Sequence, residues 1–295
     1  MPSRVQRILD ERGALVFPGV YDTLSAKIAE RAGFPLAFVS GYAVSATLIG
    51  EPDMGLLTQT EVIDRARHIC HAVAIPIIVD ADTGYGTALN VVRTVNELID
   101  AGAAGCFLED QVWPKRCGHM QGKRVIDRVD YIQKIRAAVE TKGDRDFFIV
   151  ARTDAVTAMD LDEAIARVEA ARAAGADATF VEAPSSLDEL REIGRRAPKP
   201  TVANMIEQGK TPVLEQTALA ELGFNLILYP VAGLYASAHA LTTVYERLHR
   251  DGTTGAVRQQ LMAFKQFNQL IGVDEKRALA ARFDEGQVSD LPEPS

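Results

Sequence analysis

The run Ile75-Pro-Ile-Ile-Val-Asp80-Ala-Asp82 puts two carboxylates two positions apart at the end of a strongly apolar stretch. In an extended chain, residues i and i+2 point to the same side. Two carboxylates leaving a buried strand together repel each other unless a cation lies between them. Hard oxygen donors with no His or Cys in the motif favour Mg²⁺ over zinc; Mn²⁺ could substitute. Such sites use one or two carboxylates, with water and substrate completing the octahedron. A helix N-cap by Asp82 is the competing explanation, and it leaves Asp80 without a role.

The second cluster is Lys115-Arg116-Cys117-Gly118-His119, inside the loop-like stretch Gln111–Gly122. Lys115, Arg116 and His119 around a thiol favour its thiolate. Such a thiol is acidic enough to deliver a proton to a carbanion. A long loop with Gly, Pro114 and charge is where a lid over a site is expected. An exposed loop with an incidental Cys is the plainer reading; a basic cluster around a surface Cys is uncommon. Cys70 and Cys106 lie in apolar context and read as inert core thiols. His68, His71, His239 and His249 fall on predicted helices and read as surface or packing residues. Trp113 either lines the lid or covers apolar surface.

These residues need a frame. One pattern repeats through the first 250 positions: a short apolar run ends in polar residues and an amphipathic helix follows. The runs are Ala14–Pro18, Leu36–Ser40, Ile75–Asp80, Gly105–Glu109, Phe147–Arg152, Ala178–Glu182, Pro200–Asn204 and Asn225–Tyr229. They do not alternate polar and apolar, as expected of parallel strands buried on both faces. Helical patterns lie between them, and several stop at Gly, as at Ala32-Gly33 and Ala101-Gly102. About eight such units predict a (β/α)₈ barrel. An open doubly wound sheet is the alternative, but Phe17-Pro18-Gly19-Val20-Tyr21-Asp22 is no Gly-rich phosphate loop. In a barrel, strand C-termini face the active site. Ser40-Gly41, Asp80, Glu109, Arg152, Glu182, Asn204 and Tyr229 would then share one rim, with Glu109 and Glu182 able to reach the same metal through water.

The 295 residues are read as one barrel domain, with the barrel over about 12–250, a helical arm over 254–283 and a disordered acidic tail over 284–295. A net charge of −8 with no Lys/Arg block argues against nucleic acid or an anionic membrane as partner. Three cysteines without a C-x-x-C pair give neither a disulfide framework nor a zinc site. No apolar run approaches a bilayer span, so the expected location is the reducing cytoplasm.

Taken together, the motifs resemble those of the isocitrate lyase and phosphoenolpyruvate mutase superfamily. The matching pieces include Phe38-Val-Ser-Gly-Tyr42, Pro52-Asp53, Val79-Asp-Ala-Asp-Thr-Gly84, Leu108-Glu-Asp-Gln111, Lys115-Arg-Cys-Gly-His119, Ala151-Arg-Thr-Asp154, Val181-Glu-Ala183 and Asn204, in the family's order. The resemblance implies a (β/α)₈ barrel that forms homotetramers by exchanging a C-terminal helix. It implies Asp80 and Asp82 as metal ligands, direct or through water, with Asp53 in the metal's shell. Ser40, Gly41, Tyr42, Gly118, Arg152, Glu182 and Asn204 would bind a small oxo acid, with Glu109 supporting the metal or the bound oxygen. Cys117 would be the catalytic thiol, within a catalytic set that also takes in Lys115, His119, Arg152 and Glu109.

The lid Cys is similar to the lyase branch, whose members cleave alkyl-substituted malates such as 2,3-dimethylmalate or hydrolyse oxaloacetate. Enzymes of carbon–phosphorus bonds, the phosphoenolpyruvate mutases and phosphonopyruvate hydrolases, generally lack that Cys. Methylisocitrate lyases are the nearest competitor. They carry a carboxylate-binding Arg where this chain has Tyr235, and tend to have Tyr where it has Phe38. A non-catalytic metabolite-binding scaffold is the remaining alternative, and the full set of candidate ligands stands against it. Asp53, Glu109 and Tyr42 remain open as the hydroxyl base.

Overall fold

The structure, a computed structural model, describes residues 2–118 and 122–283. The expected tail over 284–295 and His119 lie outside the described residues. The chain divides into two compact units, Met1–Ala236 and Ser237–Ser295.

The first unit alternates strands and helices throughout. Its elements are α1 (Arg4–Arg12), β1 (Leu15–Val20), α2 (Thr23–Arg31), β2 (Ala37–Val39), α3 (Gly41–Leu48), α4 (Gln59–Ala72), β3 (Ile77–Asp80), α5 (Ala88–Asp100), β4 (Gly105–Glu109) and α6 (Arg128–Lys142). They continue with β5 (Phe148–Thr153), α7 (Ala155–Ala158), α8 (Leu161–Ala173), β6 (Ala178–Val181), α9 (Leu187–Arg196), β7 (Thr201–Asn204), α10 (Gln216–Glu221), β8 (Leu226–Tyr229) and the first residues of α11 (Ala232–Asp251), most of which belongs to the second unit. The eight strands are parallel and close on themselves, β1 pairing with β8. This is the (β/α)₈ barrel expected from the apolar runs.

Apolar side chains pack in two shells. Inside the barrel, Phe17, Phe38, Ile78, Phe107, Val150, Phe180 and Leu228 fill the centre, so it is a packed core and not a channel. Val5 and Leu9 of α1 join this inner cluster beside the strand starts Leu15 and Leu226, closing the N-terminal end. Outside, Val39, Val79, Val95 and Ile135 form one layer between sheet and helices, and Ile165, Val181, Ile193 and Ile227 another. Helix starts are capped as their sequences dictate: Asp22 accepts from the Ser25 amide and Thr58 from the Glu61 amide.

The second unit holds a 3₁₀ turn at Gly255–Gln260, then α12 (Phe264–Leu270) and α13 (Val273–Ala281), which pack on each other. The expected helical arm over 254–283 is thus helical in three pieces. Gly272, at φ 78°, separates the last two. Among the described residues, no helix is long and apolar enough to cross a membrane.

Candidate active site

Each residue expected at the rim stands at or just beyond a strand's C-terminal end. Asp80 ends β3, Glu109 ends β4, Arg152 precedes the last residue of β5, and Asn204 ends β7. Ser40 and Glu182 directly follow β2 and β6. All of these but Glu109 line a cavity of about 190 Å³, whose lining includes Ser40, Tyr42, Asp53, Asp80, Lys115, Cys117, Gly118, Arg152, Glu182 and Asn204. Its apolar side is made by Phe38, Ile206, Leu228, Val231 and their neighbours. Ten of the residues named from the sequence therefore share one small, half-apolar space, which suits a small organic acid.

The carboxylates gather by a route that differs from the one the spacing suggests. Asp82 is not extended; it sits at φ 48°, in the left-handed region. Its backbone N–H donates to Asp80 Oδ1 at 3.1 Å. Nor does it cap a helix, since Thr87 holds that place for α5. The tight turn, not strand periodicity, brings the two aspartates together.

The Lys115 ammonium lies 2.6 Å from Asp53 and 2.7 Å from Asp82, so it partly neutralises the carboxylate cluster. Burial pulls its pKa down, but Asp82, Asp53, Asp80 and Glu109 outweigh that and hold it well above the usual lysine value. Asp82 in turn is pushed up to about 7, first by burial and then by Asp80 and Asp53, with Lys115 opposing. Glu109 is raised by burial against the pull of Arg152, whose Nε lies 3.2 Å from its Oε2.

Asp53, Asp80, Asp82 and Glu109 are all buried. Lys115 and Arg152 are the cations inside the cluster, and Arg152 also faces Asp154 and Glu182. Negative charge is in excess, every candidate donor is a hard oxygen, and Glu109 Oε1 is buried with no hydrogen-bond partner among the described residues. That composition fits Mg²⁺. Among the described residues, however, no group of three or more His, Cys, Asp or Glu is arranged to hold a metal directly. Asp80 and Asp53 line the cavity, whereas Asp82 does not, and the Lys115 ammonium ties Asp53 to Asp82.

Groups able to bind an anion stand among the carboxylates. Arg152 is held by Asp154 at 2.9 Å and stands over the Phe180 ring at 5.4 Å. Burial opposes the charge of Asp154, but Arg152 and Lys123 hold its pKa well below the carboxylate range. Ser40 caps α3, accepting from the Ala43 amide, so the first amides of α3 add a positive end to the cavity. A Cβ on Gly41 would come within 3.0 Å of Asp80 Oδ2; glycine keeps that oxygen accessible. Asn204 Nδ2 donates to both oxygens of Glu182 at 3.2 Å.

Cys117 is half-buried and lines the cavity, its backbone N–H donating to Asp53 O at 3.2 Å. Gln111 fixes the preceding residue: it accepts from the Arg116 amide at 3.0 Å and donates to the Arg116 carbonyl at 2.8 Å. Tyr235 lies against Tyr42. Burial and that hydrogen bond push its phenol up to about 12. Cys106 is fully buried and Cys70 mostly so; burial pushes both thiols up to about 12, as expected for inert core residues. Trp113 packs against Tyr85, ring centres 5.8 Å apart. The roles of Gln111 and Lys123 were not apparent from sequence. Gln111 carries no charge, and the Lys123-Arg124 pair follows a loop with no other signal of a site.

A profile of the phosphoenolpyruvate phosphomutase family matches residues 6–249. The chain belongs to the phosphoenolpyruvate mutase/isocitrate lyase superfamily. Among superfamily relatives, it is 51% identical over 285 residues to a chloroplastic carboxyvinyl-carboxyphosphonate phosphorylmutase from Arabidopsis thaliana, covering 95% of this chain and 84% of that one. It is 48% identical to the petal death protein of Dianthus caryophyllus, covering 95% and 88%, and 41% identical to 2,3-dimethylmalate lyase of Eubacterium barkeri, covering 97% and 99%. Superfamily structures that resemble it include oxaloacetate acetylhydrolase with the inhibitor 3,3-difluorooxalacetate, at TM-score 0.89 and 33% identity over 95% of each chain. Another is phosphonopyruvate hydrolase with oxalate and Mg²⁺, at TM-score 0.85 and 29% identity over 95% and 98%. Superfamily relatives are lyases, hydrolases and mutases of small organic acids, and this chain is an enzyme of that kind.

Proposed function

We propose that the chain is a Mg²⁺-dependent carbon–carbon lyase. It cleaves the C2–C3 bond of a small 2-hydroxy dicarboxylic acid, an alkyl-substituted malate such as 2,3-dimethylmalate, and hydrolyses oxaloacetate to oxalate and acetate in the same site. The observation that carries this reading is a thiol, Cys117, on the same small cavity as Asp80, Arg152, Glu182 and Asn204. Named relatives acting on 2,3-dimethylmalate and oxaloacetate support it.

When bound beside Asp80, with Asp53, Asp82 and Glu109 around it, the divalent cation supplies Lewis acidity and lowers the pKa of a nearby hydroxyl. Arg152, Ser40 and the α3 amides hold the C1 carboxylate. One of the buried carboxylates takes the C2 hydroxyl proton. Asp53 and Glu109 are the carboxylate candidates, Tyr42 being engaged by Tyr235. The electron pair of the C2–C3 bond moves to C3 and delocalises into the adjoining carboxylate, while C2 becomes a carbonyl. Cys117 then donates its proton to C3 as general acid. With oxaloacetate, water first adds to C2, and the same bond breaks. The apolar wall of Ile206, Leu228 and Val231 receives alkyl substituents, and Tyr235 offers no cation for a third carboxylate.

The experiment is turnover of the metal-stripped enzyme, titrated with Mg²⁺, on 2,3-dimethylmalate, oxaloacetate, 2-methylisocitrate and phosphonopyruvate. Carbon–carbon cleavage of one of the first two should dominate. Phosphonopyruvate belongs in the panel because the 51% identical relative carries a phosphorylmutase name; preference for it would replace the lyase reading. We also propose a cytoplasmic homotetramer with exchange of the C-terminal arm. Exposed Leu241, Tyr245, Met262 and Phe264 in the second unit support exchange. Mass measurement in solution tests the tetramer.

A further inference from the structure

We propose that Lys123 is a positioning residue: it registers the segment bearing Cys117 against the guanidinium of Arg152, and so sets where the proton donor stands relative to the bound acid. The proposal rests on the lyase reading above.

The Lys123 side chain is 1% exposed. Its ammonium donates to Asp154 Oδ1 at 2.6 Å and to the carbonyl of Gly118 at 2.7 Å. Asp154 is the same carboxylate that fixes Arg152, its Oδ2 accepting from Nε at 2.9 Å and its Oδ1 from Nη2 at 3.2 Å. One buried oxygen, Asp154 Oδ1, thus receives both the cation holding the loop and the cation that would hold the acid. Gly118 directly follows Cys117. A buried ammonium is costly unless its donors are engaged, and here they are spent on linking two catalytic elements.

Asp154 is itself fixed from behind. Its amide donates to Asp110 Oδ1 at 2.9 Å, and Asp110 Oδ2 accepts from Thr153 at 2.5 Å and from Arg167 at 3.0 Å. Arg167 also donates to Glu163 at 2.8 Å. Asp154 therefore has little freedom to follow the loop; the loop is located by it. A lysine serving stability alone would need no partner shared with Arg152.

The test compares wild type with Lys123→Met, Lys123→Gln and Lys123→Arg. Two readouts separate positioning from stability: kcat against KM on the best acid of the panel, and the rate of Cys117 alkylation by iodoacetamide with and without oxalate. Lys123→Met should lower kcat at least about tenfold while KM changes a few-fold. Cys117 should alkylate faster, and oxalate should protect it less. Lys123→Arg should recover part of both. If the Met variant does not fold, Lys123→Gln, which can still donate to Gly118, should show the same pattern with smaller amplitude. A folded Met or Gln variant with wild-type kcat and wild-type Cys117 labelling overturns the proposal, even if its melting temperature falls. The labelling arm needs no turnover. If the wild type acts on none of the acids, the lyase reading fails, while the response of Cys117 to Lys123 is still measured.

Discussion

A Cβ built on Gly118 would stand 1.9 Å from Glu182 Oε1, so the loop after Cys117 rests directly on a carboxylate of the site. Gly118→Ala should therefore push the loop outward. Overpacking of this kind costs roughly 1–3 kcal/mol. We expect kcat/KM to fall at least about tenfold with the barrel intact by circular dichroism; a variant with full activity would show that this contact is not used in turnover.

Removing the divalent cation should abolish turnover, and Mg²⁺ or Mn²⁺ should restore it. Because Asp80 lines the cavity while Asp82 does not and is tied to Lys115, Asp80→Asn should weaken Mg²⁺ binding more than Asp82→Asn. Calorimetric titration of the two variants measures the order. Full turnover in metal-free enzyme would remove the cation from the reaction.

Tyr235, hydrogen-bonded to Tyr42, stands on the cavity without a positive charge. Dicarboxylic substrates should be used better than 2-methylisocitrate. A missing charge-assisted contact to the third carboxylate corresponds to about 1.5–3 kcal/mol, or at least about tenfold in kcat/KM. Equal or better kcat/KM on 2-methylisocitrate would return the chain to the methylisocitrate lyases.

If Cys117 donates the proton, Cys117→Ser should lose about 10²–10⁴-fold in kcat, the usual size of general acid catalysis. Oxalate, held by the Arg152 side of the cavity, should bind with little change. Isothermal calorimetry beside steady-state kinetics reads the two effects separately. A kcat within a few-fold of wild type would take the thiol out of the mechanism.

The three thiols should differ in reactivity toward iodoacetamide. At pH 8 a thiol with pKa of about 12 is ionised in about one molecule in ten thousand, which describes Cys70 and Cys106. Cys117, on the cavity, should label first, and oxalate should slow it. Raising the pH by one unit should increase Cys70 labelling about tenfold, because its pH remains below its pKa. Peptide mass spectrometry decides; Cys106 labelling ahead of Cys117 would contradict this placement of the thiols.

The barrel was legible because eight apolar runs ending in polar residues leave few alternatives. The rim residues followed once strand ends were known to share a face. What could not be read was how the charges pair. Nothing in Asp80-Ala-Asp82 reveals that Asp82 turns left-handed, or that its carboxylate meets the Lys115 ammonium from a loop more than thirty positions away. Likewise Lys115 and Lys123, each followed by an arginine, look alike in sequence. Only the fold shows that one neutralises Asp53 and Asp82 while the other reaches Asp154 and Gly118. The helical character of 254–283 was also legible, but not its breaks, one of which falls at Gly272 in a left-handed turn.

The filled barrel centre makes the site a cul-de-sac. Phe17, Phe107 and Phe180 close it below and α1 covers the far end, so whatever enters by the rim must leave by the rim. On the proposed reaction, the fragment protonated at the half-buried thiol lies nearer that exit than the fragment held by Arg152. Departure then has an order, with the carboxylic acid first and the oxo acid last. The oxo acid product should inhibit competitively against substrate and the carboxylic acid noncompetitively, a consequence of one-door architecture.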